Sequence, residues 1–156
     1  SWGSRAFEDY YTTASLIRGI DGLLARGGNY LLNVGPTAEG VFPPEALDIL
    51  RAIGRWHAAV KEAFEDVEPA SELTTNREVL LTRRGKVVYV HLHQPPVSRG
   101  VVLAPLAVQP LRATLLNTGE PVQTRVERLP SHAPASVEPC LRLERLRHEL
   151  AQPSQQ

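Results

Sequence analysis

The chain has 156 residues, and its 17 lysines and arginines balance 17 aspartates and glutamates, so the formal net charge is zero. That balance argues against a nucleic-acid binder, which needs a basic face to meet phosphates, and it gives no support to binding at an anionic membrane. With a single cysteine, Cys140, the chain can form neither an internal disulfide nor a zinc site built from several cysteines.

The first predicted element is a helix that follows an aromatic-rich entry segment, residues 1–13. From Leu16 the apolar residues recur at positions 16, 17, 20, 23 and 24, which is one face of a helix. Arg26 suits the negative end of this helix, and Gly27 with Gly28 supplies a left-handed C-cap. Three hydroxyl residues are candidate N-caps: Thr12, Thr13 and Ser15.

A short apolar run and a second helix come next. Residues 30–34 (YLLNV) predict a strand buried on both faces, as in a parallel sheet, and the Gly-Pro pair at 35–36 ends it. Residues 43–45 (PPE) start a helix, because proline is tolerated in the first turn and glutamate suits the positive end. Its apolar spacing continues through Phe64. The acidic run at its end is predicted to be solvated: Glu62, Glu65, Asp66 and Glu68.

At Pro69 the sequence pattern changes from that of helices to that of strands. Residues 78–83 and 86–93 are rich in Val, Leu and Tyr and flank Arg84-Gly85, which predicts a hairpin. Four further strands are predicted between turn residues: 101–106, 111–116, 122–129 and 141–146. Residues 142–150 also fit a helical period, but a last strand that runs into a polar tail is favoured. Short strands at this spacing indicate an antiparallel sheet or sandwich.

The pattern therefore divides the chain into a helix-strand-helix unit at 1–68, a β domain at 69–150 and a disordered tail at 151–156. The first unit cannot stand alone, because one parallel strand between two helices leaves its backbone edges unpaired. We expect this strand to pair with strands of a longer protein that extends upstream of Ser1.

Several motifs in the first unit resemble one known family. They are Ser1-Trp2-Gly3, the run GGNYLLNVGP at 27–36, Gly40 and the IGRW run at 53–56. In this order they are similar to the C-terminal third of family 29 glycoside hydrolases, the α-L-fucosidases. The resemblance is sharp over residues 1–57 and only architectural beyond Pro69. It implies an α/β plus all-β fold: the terminal βα unit of a (β/α)8-like barrel, followed by a small antiparallel β-sandwich.

The resemblance also implies a reaction and a substrate. Family members hydrolyse terminal α-L-fucosides of glycans with retention, using an aspartate nucleophile and a carboxylic acid/base about 5 Å apart. In the family both carboxylates precede the Ser-Trp-Gly element, so no catalytic residue is assigned here and this chain alone is expected to be inactive. No cofactor or metal is implied. A secreted, periplasmic or lysosomal location follows from the resemblance alone, and linkage preference and oligomeric state stay open.

Two residues are candidates for substrate binding. Asn33 lies near the C-terminal end of the predicted strand, where barrels bind ligands, and it could hydrogen-bond a sugar or orient a carboxylate. The alternative is a buried asparagine that ties down the turn at 35–36. Trp2 could stack on a sugar face or line a pocket for the methyl group of fucose, and the alternative for Trp2 is ordinary core packing.

Other polar residues have simpler interpretations. Glu39 fits ordinary turn chemistry, and Glu8 and Asp9 are adjacent residues, which rarely aim at one bond. His91 and His93 share one strand face, a spacing that can grip a metal, but no third ligand is evident and a hydrogen-bonded pair of sheet histidines is favoured.

Three further motifs have no catalytic or binding interpretation. A Ser-His-Asp site lacks the nucleophile-elbow motif. The glycines at 27–28 end a helix, whereas phosphate loops begin one. Trp56 falls at helical spacing and is interpreted as a core residue.

Two alternatives to an active enzyme stay open. The first is a non-catalytic β domain that binds carbohydrate or a protein partner, although residues 70–156 contain one aromatic residue, Tyr89. The second is an inactive fucosidase paralogue. Ser4 stands where the family usually has Tyr, and the sequence after Trp56 departs from the family pattern.

Overall fold

The computed structural model describes residues 9–93, 100–104, 109–130 and 137–144. Two helices come first, α1 at Thr13–Leu24 and α2 at Pro44–Val60. Seven strands follow in chain order: β1 Glu68–Pro69, β2 Leu80–Arg84, β3 Val87–His91, β4 Gly100–Leu103, β5 Ala113–Thr114, β6 Pro121–Pro130 and β7 Val137–Glu144. The order of helices before strands agrees with the change of pattern in the sequence.

Helix α1 begins three residues before the first apolar position, because its cap lies further upstream. The Thr12 hydroxyl accepts a hydrogen bond from the Ser15 N–H at 3.2 Å, so one of the three candidate N-caps is confirmed. At the other end Gly27 has a φ of +77°, and the Gly28 N–H donates to the Leu23 carbonyl at 2.9 Å. This is the closing bond of a Schellman motif, and it confirms the predicted glycine C-cap.

Helix α2 starts at Pro44, as predicted, but it is shorter than its apolar spacing suggested. It ends at Val60, and a single 3₁₀ turn follows before Phe64. Glu68, predicted as part of a solvated helix end, instead lies in β1. Its carboxylate accepts a hydrogen bond from the Arg83 guanidinium at 2.8 Å. Glu68 therefore pairs with Arg83 of β2 and is not part of a helix end.

Within the described ranges, residues 30–34 do not form the predicted buried strand. They follow α1 without regular structure, and Leu31 is 84% exposed, whereas its neighbours Tyr30 and Leu32 are half-buried. A strand is held by the ladder of hydrogen bonds to a neighbouring strand. The described strands pair with one another in two separate sheets, and none of them pairs with this segment.

The predicted hairpin is confirmed, with its turn one residue later than the sequence indicated. Arg84 pairs with Val87, so the two-residue loop is Gly85-Lys86 rather than Arg84-Gly85. Gly85 has a φ of +57°, and Lys86 is not among the residues with positive φ. Glycine with positive φ at the first central position defines a type II′ turn, whose twist suits the two strands.

Two small antiparallel sheets build the β domain, in the orders β1-β2-β3 and β4-β7-β6-β5. Their buried side chains form one cluster: Ala70, Val79, Leu81, Val101, Leu103 and Leu143. Because both sheets contribute to this cluster, they face each other over a shared core, as the sandwich prediction requires. Strand β7 ends at Glu144, and the predicted tail lies outside the described residues.

The predicted boundary between the two units, at 68/69, falls inside β1, whose partner β2 belongs to the β domain. The division at 68/69 stays a prediction. The two parts are joined by contacts that centre on α1 and β3.

Candidate functional site

Asn33, the first predicted site residue, lies on the open side of the segment after α1. It is exposed in this chain, and both interpretations of Asn33, substrate contact and buried turn residue, stay predictions. The flanking side chains of Leu32 and Val34 are half-buried, and Asn33 thus points away from the side on which they pack. Trp2, the second predicted site residue, lies outside the described residues.

The loop after Asn33 is a turn closed by backbone hydrogen bonds. The Thr37 N–H donates to the Val41 carbonyl at 2.8 Å, and the Gly40 N–H donates to the Thr37 carbonyl at 3.0 Å. Gly40 has a φ of +77°, which explains the glycine at that position. Glu39 is exposed, and the Thr37 hydroxyl beside it lowers the pKa of its carboxyl. These features agree with ordinary turn chemistry for Glu39.

A second polar cluster, which the sequence did not predict, lies buried between α1 and β3. Asp21 is 1% exposed, yet its carboxylate contacts two histidines. His91 Nδ1 lies 2.6 Å from Asp21 Oδ1, and His93 Nε2 meets Asp21 Oδ2 in an ion-pair contact. We call these three residues the aspartate–histidine cluster. His91 is thus the hydrogen-bonded sheet histidine that the sequence favoured, whereas His93 Nε2 contacts Asp21 without a hydrogen bond of ordinary geometry.

The other ring nitrogen of His91 is held by the hairpin itself. His91 Nε2 lies 2.9 Å from Thr82 Oγ1, on the strand paired with β3, and the Thr82 hydroxyl is 2.8 Å from the Ala63 carbonyl. A hydroxyl has one proton, so Thr82 can donate it to Ala63 or to His91 but not to both at once. The Phe64 ring completes the enclosure of His91, at 5.2 Å between ring centroids.

Asp21, His91 and Thr82 therefore stand in the order of an acid-histidine-hydroxyl triad. In such a triad the hydroxyl attacks a substrate that must reach it. Thr82 is fully buried, at 0% exposure, and its hydroxyl is engaged with the backbone of Ala63. The arrangement thus joins two parts of the chain and is not a site for nucleophilic catalysis.

Contacts with His91 and His93 favour the ionised form of Asp21, although the carboxylate is buried. Burial alone would raise the pKa of the carboxyl, but hydrogen bonds from His91 and His93 and their positive charge when protonated outweigh it. The pKa of Asp21 is therefore lowered from its ordinary value of 3.8. Asp21 contacts both histidines, one with each carboxylate oxygen. Among the residues that the structure describes, no group of three acidic, histidine or cysteine side chains is arranged to hold a metal ion.

Aromatic side chains cover the outer side of this cluster. Trp56 packs edge-on against Phe64 at 5.7 Å, and His57 stacks on Phe64 at 6.3 Å. Trp56 is half-buried in this packing, which agrees with its interpretation as a core residue.

One signal in the sequence could have pointed to Asp21. It follows Ile17 by four positions and precedes Leu24 by three, so it lies on the apolar face of α1. A carboxylate on an apolar helix face requires a buried partner. The partners, His91 and His93, lie 70 and 72 residues further along the chain, and nothing local identifies them.

Comparison with known proteins supports the resemblance that the motifs carry. A family model described as alpha-L-fucosidase matches residues 1–62. The tissue alpha-L-fucosidase of Bos taurus is 32% identical over 120 residues, which cover 74% of this chain and 26% of that protein. The human tissue alpha-L-fucosidase is 30% identical over 122 residues, with the same two coverages. Alignments of this length extend beyond residue 62 into the β domain.

Solved structures agree in fold over most of the chain. The alpha-L-fucosidase from Vibrio sp. strain EJY3 is 25% identical and superimposes with a TM-score of 0.73, over 92% of this chain and 25% of that one. Isoenzyme 1 from Paenibacillus thiaminolyticus is 26% identical, with a TM-score of 0.70 over 92% of this chain and 37% of that one. Both comparisons include strands of the β domain as well as the helices.

The arrangement of helices and sheets matches that of the solved α-L-fucosidases over most of the chain. The chain is similar in sequence and in fold to the α-L-fucosidases, and the resemblance stated from its motifs is confirmed. It spans about a quarter of the length of these curated relatives. Within the ranges that the structure covers, neither helix is long and apolar enough to cross a membrane.

Proposed function

We propose that the chain is part of a retaining α-L-fucosidase that hydrolyses terminal α-L-fucosides of glycans. In this proposal residues 1–68 supply the last βα unit of a (β/α)8-like catalytic barrel, and residues 69–150 form its β-sandwich. The nucleophile and the acid/base come from other parts of the enzyme. The match of residues 1–62 to the alpha-L-fucosidase family model is the observation that carries the proposal.

The surface of the helical unit supports a larger catalytic domain around it. Large apolar side chains of this unit are each at least 39% exposed: Tyr10, Tyr11, Leu23, Leu31, Val41 and Phe42. Exposed apolar area of this extent favours contact with other protein surface. The backbone of residues 30–34 also has no strand beside it among the described elements, and a neighbouring barrel strand would pair with it.

Asn33 is the residue of the described chain that we propose to meet the substrate. Its side chain is exposed beside the turn at 35–40, and an amide offers both donors and an acceptor to sugar hydroxyls. In a barrel, side chains at the C-terminal ends of strands line the site. Trp2 is proposed as a second contact, with its ring against the sugar.

The test compares the 156-residue chain with the protein encoded when its reading frame is extended upstream. On an aryl α-L-fucoside we expect turnover by the extended protein alone, with the first-formed sugar retaining its anomeric configuration by NMR. Turnover by the isolated chain at an enzymatic rate would contradict the placement of both carboxylates elsewhere. An extended protein that folds but stays inactive would favour the inactive paralogue.

A matched pair of variants tests Asn33 in the extended protein. Asn33→Ala is expected to lower kcat/KM on the aryl fucoside by roughly tenfold or more, because a hydrogen bond to the sugar is lost. Asn117→Ala removes an exposed asparagine of the β domain and is expected to leave kcat/KM unchanged. Equal values for the two variants would remove Asn33 from the site.

The sugar-binding β domain receives less support. Tyr89, the single aromatic residue of 70–156, is 8% exposed, and its hydroxyl accepts a hydrogen bond from Arg84 at 2.7 Å. A buried tyrosine cannot serve as a stacking platform. Binding of residues 70–156 to a glycan array would revive this alternative.

A further inference from the structure

Helix α1 makes different contacts on its two opposite sides. Two residues along a helix turn by about 200°, so Gly19 and Asp21 face nearly opposite directions. Asp21 faces β3 and contacts His91 and His93. On the other side the Tyr30 ring lies over Gly19, where an added Cβ would stand 3.4 Å from a ring carbon. The helix therefore lies between the β domain and the segment that carries Asn33.

The end of α1 is tied closely to that segment. The Ala25 N–H donates to the Asp21 carbonyl at 2.8 Å, and the Arg26 guanidinium donates to the Gly22 carbonyl at 2.6 Å. The Gly28 N–H then closes the helix on Leu23. These bonds connect the last turn of α1 to Gly28, the first residue of the segment that carries Asn33.

A second contact with the β domain lies close to the same turn. A Cβ added to Gly27 would stand 3.4 Å from Pro69 Cγ, so β1 approaches the C-terminal end of α1 closely. That contact is apolar and carries little directional information. The aspartate–histidine cluster is directional, because each carboxylate oxygen meets its own histidine nitrogen.

We propose that Asp21 is a positioning residue through which the β domain fixes residues 28–34, Asn33 among them, by way of α1. His91 and His93 hold the carboxylate on one side of the helix, and the helix holds Tyr30 on the other. The claim about position stands on the chain itself. Its meaning for catalysis rests on the proposed function, in which Asn33 meets the sugar.

The test uses NMR on the 156-residue chain and places the substitution in the β domain, far along the sequence from the segment observed. His91→Ala removes the partner of Asp21 Oδ1. We expect amide exchange at Gly28 to accelerate roughly tenfold and the nuclear Overhauser contacts between the Tyr30 ring and Gly19 to weaken, because a buried charged hydrogen bond is lost. Amides of β6 and β7, which pair away from α1, are expected to keep their exchange rates.

Two further variants separate positioning from general loss of stability. In His91→Asn the side-chain amide nitrogen lies near the position of His91 Nδ1, so it can still donate to Asp21. We therefore expect the protection of the Gly28 amide against exchange to recover most of the way to the wild-type value. Arg83→Gln removes the exposed ion pair with Glu68, has no contact with α1, and is expected to change nothing at Gly28 or Tyr30. A downfield proton on His91 Nδ1, lost in Asp21→Asn, gives a direct signature of the bond.

Two outcomes would overturn the proposal. One is unchanged Gly28 protection and Tyr30 contacts in folded His91→Ala. The other is equal loss in His91→Ala and His91→Asn, since that would show that the ring's bulk and not its bond to Asp21 matters. If His91→Ala does not fold, His91→Asn and Asp21→Asn are compared instead. Gly28 protection that is kept in His91→Asn and lost in Asp21→Asn supports the proposal, and equal protection in the two variants overturns it. These readouts involve no substrate, so an inactive extended protein would refute the proposed function and leave this inference standing.

Discussion

His91 Nδ1 lies 2.6 Å from Asp21 Oδ1, although the two residues are 70 positions apart in the chain. Asp21 belongs to α1 and His91 to β3, so the contact joins the helical part to the β domain. Both side chains are buried, at 2% and 6% exposure, and a buried charge without its partner is strongly destabilising. The contact between Asp21 and His91 therefore helps to hold the helical part and the β domain in one arrangement.

The first prediction concerns acid pH. Because the pKa of Asp21 is lowered from 3.8 in the folded protein, the contribution of the ionised carboxylate is fully present above the unfolded value. This contribution to stability is lost as the pH falls through the pKa of the folded protein. The reason is that the carboxyl of the unfolded state has the higher pKa and is protonated first, which favours unfolding. Urea unfolding of wild type and Asp21→Asn should differ by about 1.5–3 kcal/mol near neutral pH, and the difference should shrink below about pH 4.

Thr82→Val provides the control for that experiment, because it keeps Asp21 and removes a hydroxyl of the same cluster. Its loss of stability relative to wild type should persist at acid pH, since the Thr82 hydroxyl does not titrate. A difference between wild type and Asp21→Asn that stays constant from neutral pH to about pH 2 would contradict the role of the Asp21 charge.

Elements with local signals were predictable from the sequence. Thr12 and Gly27 mark the two ends of α1 by cap chemistry, and the strands on either side of Gly85 show the β pattern. The ends of elements were less predictable, because they depend on distant partners. Glu68 joins β1, and not a helix end, because β2 supplies a partner for Glu68 and Pro69.

The segment 30–34 shows where local reasoning stops. Its apolar sequence fits a strand, but a strand also needs a neighbour to pair with, and composition does not say which one. The same limit applies to the aspartate–histidine cluster. The spacing of His91 and His93 on one strand face was visible, yet Asp21 could be joined to them only when α1 and β3 were placed in space.

The second prediction tests the core shared by the two sheets. Leu81 lies in β2, is 0% exposed and belongs to the cluster that both sheets build. Leu81→Ala should lower the free energy of unfolding by about 2–5 kcal/mol, because it removes buried methyl groups and leaves a cavity. Leu111→Ala is the matched control: Leu111 is fully exposed, and its truncation should change stability by less than about 0.5 kcal/mol. Equal effects in chemical denaturation would contradict the shared core.

The third prediction compares two glycines of the helical part. Gly27 has a φ of +77°, and an added methyl group would lie 3.4 Å from Pro69 Cγ, so Gly27→Ala should destabilise the protein by about 1–2 kcal/mol. Gly54 lies inside α2 with open space around it, and Gly54→Ala should stabilise the protein by roughly 1 kcal/mol. Thermal unfolding followed by far-UV circular dichroism measures both. If both variants shift the unfolding temperature in the same direction, then either Gly27 does not have a positive φ or Gly54 does not lie in open space inside α2.

The fourth prediction concerns the start of α1, where the Thr12 hydroxyl accepts a hydrogen bond from the Ser15 N–H at 3.2 Å. Thr12→Ala removes the acceptor and should lower the free energy of unfolding by about 0.5–2 kcal/mol, whereas Thr12→Asp restores an acceptor and should recover the loss. The added negative charge also suits the positive end of the helix, so Thr12→Asp should equal or exceed wild type at low salt, with an advantage that fades as salt screens it. The measurement is urea unfolding of the three proteins at low and high salt. Equal stability of Thr12→Ala and wild type would mean that α1 is capped by another residue.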